Sequence, residues 1–216
     1  MIKAEIQIRK TLAEYTRLTY EKGYTPPLSG NLSMRLDDGH ILITPSYFSK
    51  GLVTEADLLK VDFDGNVIDG GAKPSVETPI HLAFYKNRPE INAVIHAHPR
   101  DVLAFAAANR PINAGTVPEA VYMLGEIADI PYHAPGTDAL REAIEAYIKD
   151  RDTFLLYNHG MITAGRTMAE AFYRMETMEF CAHADLYAAL LGGSAAIGAE
   201  ERQKLVELRK HLPPAQ

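Results

Sequence analysis

The chain changes its hydrophobic period after the first two dozen residues. Residues 2–22 place apolar side chains three and four positions apart, which predicts an amphipathic helix ending at Gly23. Past Pro26-Pro27, short segments rich in aliphatic residues alternate with turn residues, a pattern typical of β-hairpins. The predicted strands are 31–36 paired with 41–44, and 58–63 paired with 66–68.

The remainder mixes helical periodicity with short apolar runs, which indicate buried strands. Helices are predicted at 78–87, 100–109, 138–149, from Thr167 to about Leu191, and at 199–211. Strands are predicted at 91–95, 154–157 and 161–163. Hairpin strands interspersed with helices favour an α/β fold, a three-layer sandwich whose central, mainly antiparallel sheet is flanked by helices. No repeat or long linker divides residues 1–216, so we expect a single domain.

Composition narrows the class of protein. The 216 residues are 47% hydrophobic and 23% charged, as in ordinary globular proteins. A formal net charge of −6 disfavours nucleic acids and anionic membranes as partners. One cysteine excludes an intrachain disulfide, and no apolar run has the length of a signal peptide or a membrane span. We therefore expect a cytoplasmic enzyme that acts on a small molecule.

A His-Ala-His sequence follows the predicted strand 91–95 and is the sharpest chemical signal. Residues two apart in a strand project to the same face, so His96 and His98 can grip one ion. Neutral imidazole is the commonest metal ligand, and catalytic zinc usually has three protein ligands. His159, between an apolar strand and Gly160, is the candidate third ligand. By itself, each of these features also occurs as an ordinary strand end or turn.

Polar loop residues suggest a second part of a site. Glu77 precedes a predicted helix, where a carboxylate either interacts favourably with the helix dipole or acts as a general acid/base. Three turns could offer hydroxyl, amide and backbone N–H groups to an anion, although each alone could be an ordinary turn. The candidate substrate or phosphate contacts among them are Gly30, Asn31, Thr44, Ser46 and Ser75.

Six segments in this order resemble the class II aldolase/adducin-head family: SGNLSMRL at 29–36, ILITPS at 41–46, KPSVE at 73–77, AVIHAHP at 93–99, PYHAPGT at 131–137 and NHGMITAG at 158–165. The resemblance implies that His96, His98 and His159 bind Zn²⁺, or another divalent metal such as Mn²⁺ or Co²⁺. It implies that Glu77 is the catalytic acid/base. It further implies a homotetramer with active sites between subunits.

The activity that this resemblance implies is that of a lyase. We expect retro-aldol cleavage of a ketose phosphate or related hydroxy-carbonyl compound. Decarboxylation, epimerisation or dehydration on the same scaffold remain alternatives, as does a non-catalytic assembly module of the adducin-head kind. The presence of all three histidines argues against a non-catalytic module.

The chain departs from the family pattern near the expected phosphate pocket. Tyr47 stands where glycine is usual and Val76 replaces a serine, so we expect weaker phosphate recognition. Val117 aligns near the position of a catalytic tyrosine, with Glu119 and Tyr122 as the nearest polar side chains. His133, in the predicted loop before Pro135, is a reserve site residue.

Overall fold

The computed structural model describes residues 2–209 and 211, without the side chains of residues 2 and 3. Its helices are α1 (Ile2–Glu21), α2 (Thr78–Asn87), α3 (Arg100–Ala107), α4 (Pro118–Leu124), α5 (Asp138–Ile148), α6 (Met168–Leu190) and α7 (Ala199–Arg209). Its strands are β1 (Asn31–Arg35), β2 (Ile41–Ile43), β3 (Leu59–Val61), β4 (Val67–Asp69), β5 (Ala93–Ala97), β6 (Ile127–Ile130), β7 (Thr153–Leu156) and β8 (Gly160–Gly165). None of the helices in this part of the chain is both long and apolar enough to cross a membrane.

The strands form one mixed sheet in the order β4-β3-β2-β1-β5-β8-β7-β6. Neighbouring strands are antiparallel except β6 and β7, which are parallel. Strand β5 lies in the middle, with β1 on one edge and β8 on the other. Its five residues are all buried, which explains why the strand is apolar on both faces except at His96.

Helices cover both faces of the sheet. One cluster of buried side chains joins the sheet to α1, α3, α4 and α6, and includes Leu12, Val102 and Phe172. The second cluster joins the opposite face to α2 and α5, and includes Phe84 and Ile144. This arrangement confirms the predicted α/β sandwich with a mainly antiparallel sheet.

The element boundaries agree closely with the predictions, and the differences have a common cause. Helix α4 and strand β6 were not predicted from the sequence. Helix α4 has seven residues, and β6 has four and pairs in parallel with β7, a partner that follows α5 in sequence. Such short elements are stabilised by contacts distant in sequence, which local periodicity does not record.

Candidate metal centre and cavity

Three histidine rings meet at the end of the central strands. His96 is the fourth residue of β5 and pairs with Asn31 of β1 on one side and Ile162 of β8 on the other. His98 follows the strand, and its backbone N–H donates to the carbonyl of Tyr24 at 2.8 Å. His159 lies in the turn between β7 and β8. The ring centroids are 4.6, 4.7 and 5.4 Å apart for the pairs 96–98, 96–159 and 98–159.

The two residues that flank His159 allow it to lie close to His98 and the end of β5. Asn158 adopts a left-handed φ of 57°, which turns the chain back toward β8. A Cβ atom at Gly160 would lie 2.5 Å from the Ala97 carbonyl oxygen and 2.7 Å from Cδ2 of His98. Glycine is therefore required here by close approach, because a larger residue would push His98 or the β5 backbone away.

The triad has the composition and spacing of a metal site. One ligand atom from each histidine lies within 4.8 Å of the other two. An ion bound to imidazole nitrogens at about 2.1 Å needs those atoms no more than about 4.2 Å apart, so a small inward ring movement would suffice. Among the described residues, His96 Nε2, His98 Nδ1 and His159 Nδ1 are buried without a hydrogen-bond partner. Buried nitrogens without partners are unusual in folded proteins, and a metal ligand role would account for such atoms.

The charge state of the rings also suits a metal. Burial, with the neighbouring imidazoles, lowers the pKa of His98 to about 2. Burial and His96 lower the pKa of His159 to about 4, although the Glu77 carboxylate opposes this shift. Both rings are therefore neutral near pH 7, and neutral imidazole is the form that coordinates a metal. His96 Nδ1 donates to the Met161 carbonyl oxygen at 2.9 Å, which leaves Nε2 as the nitrogen of this ring that could bind a metal.

Glu77 faces the triad instead of capping its helix. It occupies the N-cap position of α2, yet its side chain makes no capping hydrogen bond. Its Oε2 lies 3.4 Å from His96 Nε2 and its Oε1 lies 3.5 Å from His159 Nε2. Burial alone would raise the pKa of Glu77, but the His96 imidazole and a hydrogen bond from Asn31 outweigh burial and lower it. The group is thus a carboxylate at neutral pH and can accept a proton.

A cavity of about 250 Å³ opens over these groups. Besides the three histidines and Glu77, its wall contains Leu28, Ser29, Gly30, Asn31, Pro45, Ser46, Lys50 and Ser75. Four of the five predicted anion contacts therefore line one cavity. Thr44 is the exception, because it is fully buried behind the wall and its hydroxyl oxygen accepts a hydrogen bond from the Leu32 N–H at 3.1 Å. Its position supports a structural role in joining β1 to β2.

The two departures from the family pattern point away from this cavity. The Tyr47 side chain is 88% exposed, while its backbone adopts the left-handed φ of 53° that glycine favours. Val76 is 67% exposed, lies beside Gly136 and lines a different groove. Within this chain neither side chain lines the cavity, so the bulk of Tyr47 does not narrow it. His133, Glu119 and Tyr122 do not line the cavity in the described chain either.

A buried hydrogen-bond chain supports Asn31 and Glu77 from behind. Asn31 Nδ2 donates to Glu77 Oε2 at 2.8 Å, and Asn31 Oδ1 lies 2.5 Å from His81 Nε2. His81 Nδ1 lies 2.6 Å from the Ser33 hydroxyl, which lies 2.7 Å from the Tyr85 hydroxyl.

The Glu77 carboxylate fixes the direction of every bond in this chain. An ionised carboxylate only accepts, so the Asn31 amide nitrogen faces it and the amide oxygen accepts from His81 Nε2–H. Burial lowers the pKa of His81 to about 3, so the ring is neutral and its Nδ1 accepts from Ser33. Ser33 in turn accepts from Tyr85. His81 was not predicted as a site residue, because a histidine on a helix gives no local signal of its partners.

Comparison with known proteins agrees with this geometry. Residues 10–186 match the class II aldolase and adducin N-terminal domain family. The chain belongs to this family. Class II aldolases are metal-dependent enzymes, in keeping with a histidine triad that could hold an ion.

Relatives within the class II aldolase family carry more than one activity. A 3-oxo-tetronate 4-phosphate decarboxylase of Haemophilus influenzae is 35% identical over 79% of this chain and 83% of its own length. An L-fuculose phosphate aldolase of Methanococcus maripaludis is 37% identical over 76% of this chain and 87% of its own length. The crystal structure of YgbL from Klebsiella pneumoniae superposes with a TM-score of 0.88 at 29% identity, covering 94% of this chain and 99% of that one.

The buried position of His81 leads to a pH-dependent stability. The pKa of His81 is about 3 in the folded chain, against about 6.5 for an unfolded histidine, so the unfolded state binds this proton first as pH falls. Wild-type stability should therefore fall below pH 6.5 by about 1.4 kcal/mol per pH unit from this group. His81→Gln lacks this titration. We expect it to be less stable at pH 7.5 by roughly 1–3 kcal/mol, with a gap that narrows toward pH 4.

Urea unfolding of metal-free protein at several pH values measures this gap. Tyr85→Phe is the matched control, because it removes the last hydroxyl of the same hydrogen-bond chain but no group that titrates in this pH range. Its deficit should stay constant with pH. A constant gap for His81→Gln as well would show that His81 is not held neutral by burial.

Proposed function

We propose that this protein is a metal-dependent lyase that cleaves a carbon–carbon bond next to a carbonyl group, by retro-aldol cleavage of a ketose phosphate or related hydroxy-carbonyl compound. The observation that carries the proposal is the Glu77 carboxylate 3.4–3.5 Å from two imidazole nitrogens, in a cavity whose other wall is rich in hydrogen-bond donors. The proposed ligands are His96, His98 and His159. Of the possible ions Zn²⁺ suits a three-imidazole site best, with Mn²⁺ or Co²⁺ as substitutes.

A single acid/base group can complete this reaction. Glu77, ionised at neutral pH, accepts the proton of the hydroxyl group on the carbon that becomes the aldehyde. The O–H electron pair forms the new carbonyl, the carbon–carbon bond breaks, and its electron pair stays with the other fragment as an enediolate. Glu77 then returns the proton to carbon. A divalent ion held by the three imidazoles would supply Lewis-acid stabilisation of negative charge on the substrate oxygen.

Asn31 holds the Glu77 carboxylate in position for proton transfer. Its N–H donates to Oε2, while the oxygen of the same amide is held by His81. The carboxylate therefore has a fixed orientation toward the cavity. Ser75 adds a second constraint, because its hydroxyl oxygen accepts from the Glu77 backbone N–H at 3.2 Å.

Decarboxylation of a phosphorylated 3-oxo acid is the second candidate reaction. No tyrosine lines the cavity in the described chain, so Glu77 alone would have to exchange protons with both the aldehyde oxygen and the carbon in retro-aldol cleavage. Loss of carbon dioxide produces no aldehyde and requires a proton only at carbon. The Haemophilus relative carries a decarboxylase name, which supports keeping this candidate.

Product analysis separates these reactions. Zinc-loaded protein is incubated with ketose 1-phosphates and with 3-oxo acid phosphates labelled with ¹³C at the carboxylate, and products are identified by NMR. We expect an aldehyde and a hydroxyketone fragment from the first class. Release of labelled carbon dioxide alone would select decarboxylation, and no cleavage of either class would contradict the lyase proposal.

Glu77→Gln tests the acid/base role on whichever substrate is cleaved. Glutamine preserves the size and the hydrogen bond from Asn31 but cannot accept the proton, so turnover should fall about 10²- to 10⁴-fold. Zinc content should remain near wild type, because Glu77 is not a proposed ligand. Glu142→Gln, at an exposed glutamate of α5, is the matched control. Near-normal turnover of Glu77→Gln would reduce this residue to a structural neighbour of the triad.

We also propose the homotetramer, with active sites between subunits, that the family resemblance implies. Leu28, in the cavity wall, is 56% exposed and Val76, next to Glu77, is 67% exposed. In the proposed tetramer a partner subunit would cover these two apolar side chains. Sedimentation equilibrium should give four times the chain mass of 23.8 kDa, and a monomer at micromolar concentration would contradict this assembly.

A further inference from the structure

Lys50 is a fully buried cation with no acidic partner. Its side chain is 1% exposed, in the segment that follows β2. Its Nζ donates to the Phe48 carbonyl at 3.1 Å and to the Pro45 carbonyl at 3.5 Å. Within the residues that the structure describes, it forms no ion pair with any carboxylate. Two carbonyl contacts leave one of the three ammonium N–H groups available.

Burial of an unpaired ammonium group has an unfavourable free energy. Lysine is almost never fully buried unless it is paired, because removing an ammonium group from water has a large desolvation cost. Burial lowers the pKa of Lys50 to about 8, so the group is still mostly protonated near pH 7. An anion placed beside it would offset the desolvation cost and restore the ordinary preference for the charged form.

The surroundings of Lys50 show where that anion would bind. Lys50 forms part of the wall of the 250 Å³ cavity, together with Gly30, Ser46 and Ser75. It is the one lysine or arginine in that wall among the described residues. Lys50, Ser46, Ser75 and Gly30 thus line the same cavity as Glu77 and the three imidazoles.

We propose that the Lys50 ammonium binds the phosphate group of the substrate, as the charged member of a subsite with Ser46 and Ser75. This inference rests on the proposed function only in taking the cavity as the active site. The sequence lacks one serine hydroxyl of the family's phosphate pocket, because Val76 stands in its place. A buried cation can replace such a neutral hydrogen-bond donor. The proposed subsite also assigns the two ends of the substrate, with the phosphate at Lys50 and the reacting carbonyl at the triad.

Binding of inorganic phosphate tests this subsite without requiring turnover. Calorimetric titration of the zinc-loaded protein at pH 7 compares wild type with Lys50→Met, which keeps the length of the side chain and removes its charge. A hydrogen bond to a charged group contributes roughly 1.5–3 kcal/mol, so phosphate affinity should fall about 10- to 100-fold. Lys86→Met, at an exposed lysine of α2 that lines a different groove, should bind phosphate as wild type does. Unchanged phosphate affinity in folded Lys50→Met would overturn the proposal and leave Lys50 as a tie within its own loop.

A second measurement uses the wild-type side chain itself, in case Lys50→Met does not fold. Lysine labelled with ¹³C at Cε reports the Lys50 ammonium by NMR, with Lys50→Arg providing the assignment. Added sulfate, whose charge is constant from pH 6 to 10, should raise the pKa of Lys50. A pKa that does not respond to saturating sulfate would overturn the proposal. Phosphate binding through Lys50 in a protein that cleaves neither substrate class would retain this inference and reject the proposed reaction.

Discussion

The site depends on the antiparallel pairing of β5 with β1 on one side and β8 on the other. This register places His96 directly opposite Asn31, and it brings the turn before β8 against the end of β5. Because a shift of one residue would turn His96 to the opposite face of the sheet, the buried apolar residues of β5 also fix the chemistry. Gly160 completes the arrangement by allowing β8 to begin next to His98.

Burial gives these polar groups their properties. The imidazoles of His98 and His159, which would be half protonated near pH 6.5 in water, are neutral here, and each has a buried nitrogen without a hydrogen-bond partner. Glu77 is buried as well, but the His96 imidazole and a hydrogen bond from Asn31 lower its pKa and keep it ionised. The hydrogen bonds that run from Asn31 through His81 and Ser33 to Tyr85 give these buried polar side chains partners. A buried network with its partners in place holds the wall behind Glu77 rigid.

Much of the fold and part of the site were predictable from sequence, for identifiable reasons. Strand β5 and the His96/His98 pair follow from a buried run and a two-residue period. His159, 61 residues after His98, required the resemblance to the family, since no local pattern joins it to the pair. Lys50 and His81 were missed because their significance is their burial and their partners, both of which depend on distant segments. Thr44 shows the converse, since a hydroxyl in a turn was expected to face an anion and instead supports β1.

If the three histidines hold one metal ion beside Glu77, anomalous diffraction from zinc-soaked crystals will show it. We expect one strong peak at the zinc edge, about 2.0–2.1 Å from a nitrogen of each of His96, His98 and His159, with an open position facing the cavity. A strong zinc peak elsewhere, with none between these rings at saturating zinc, would contradict it.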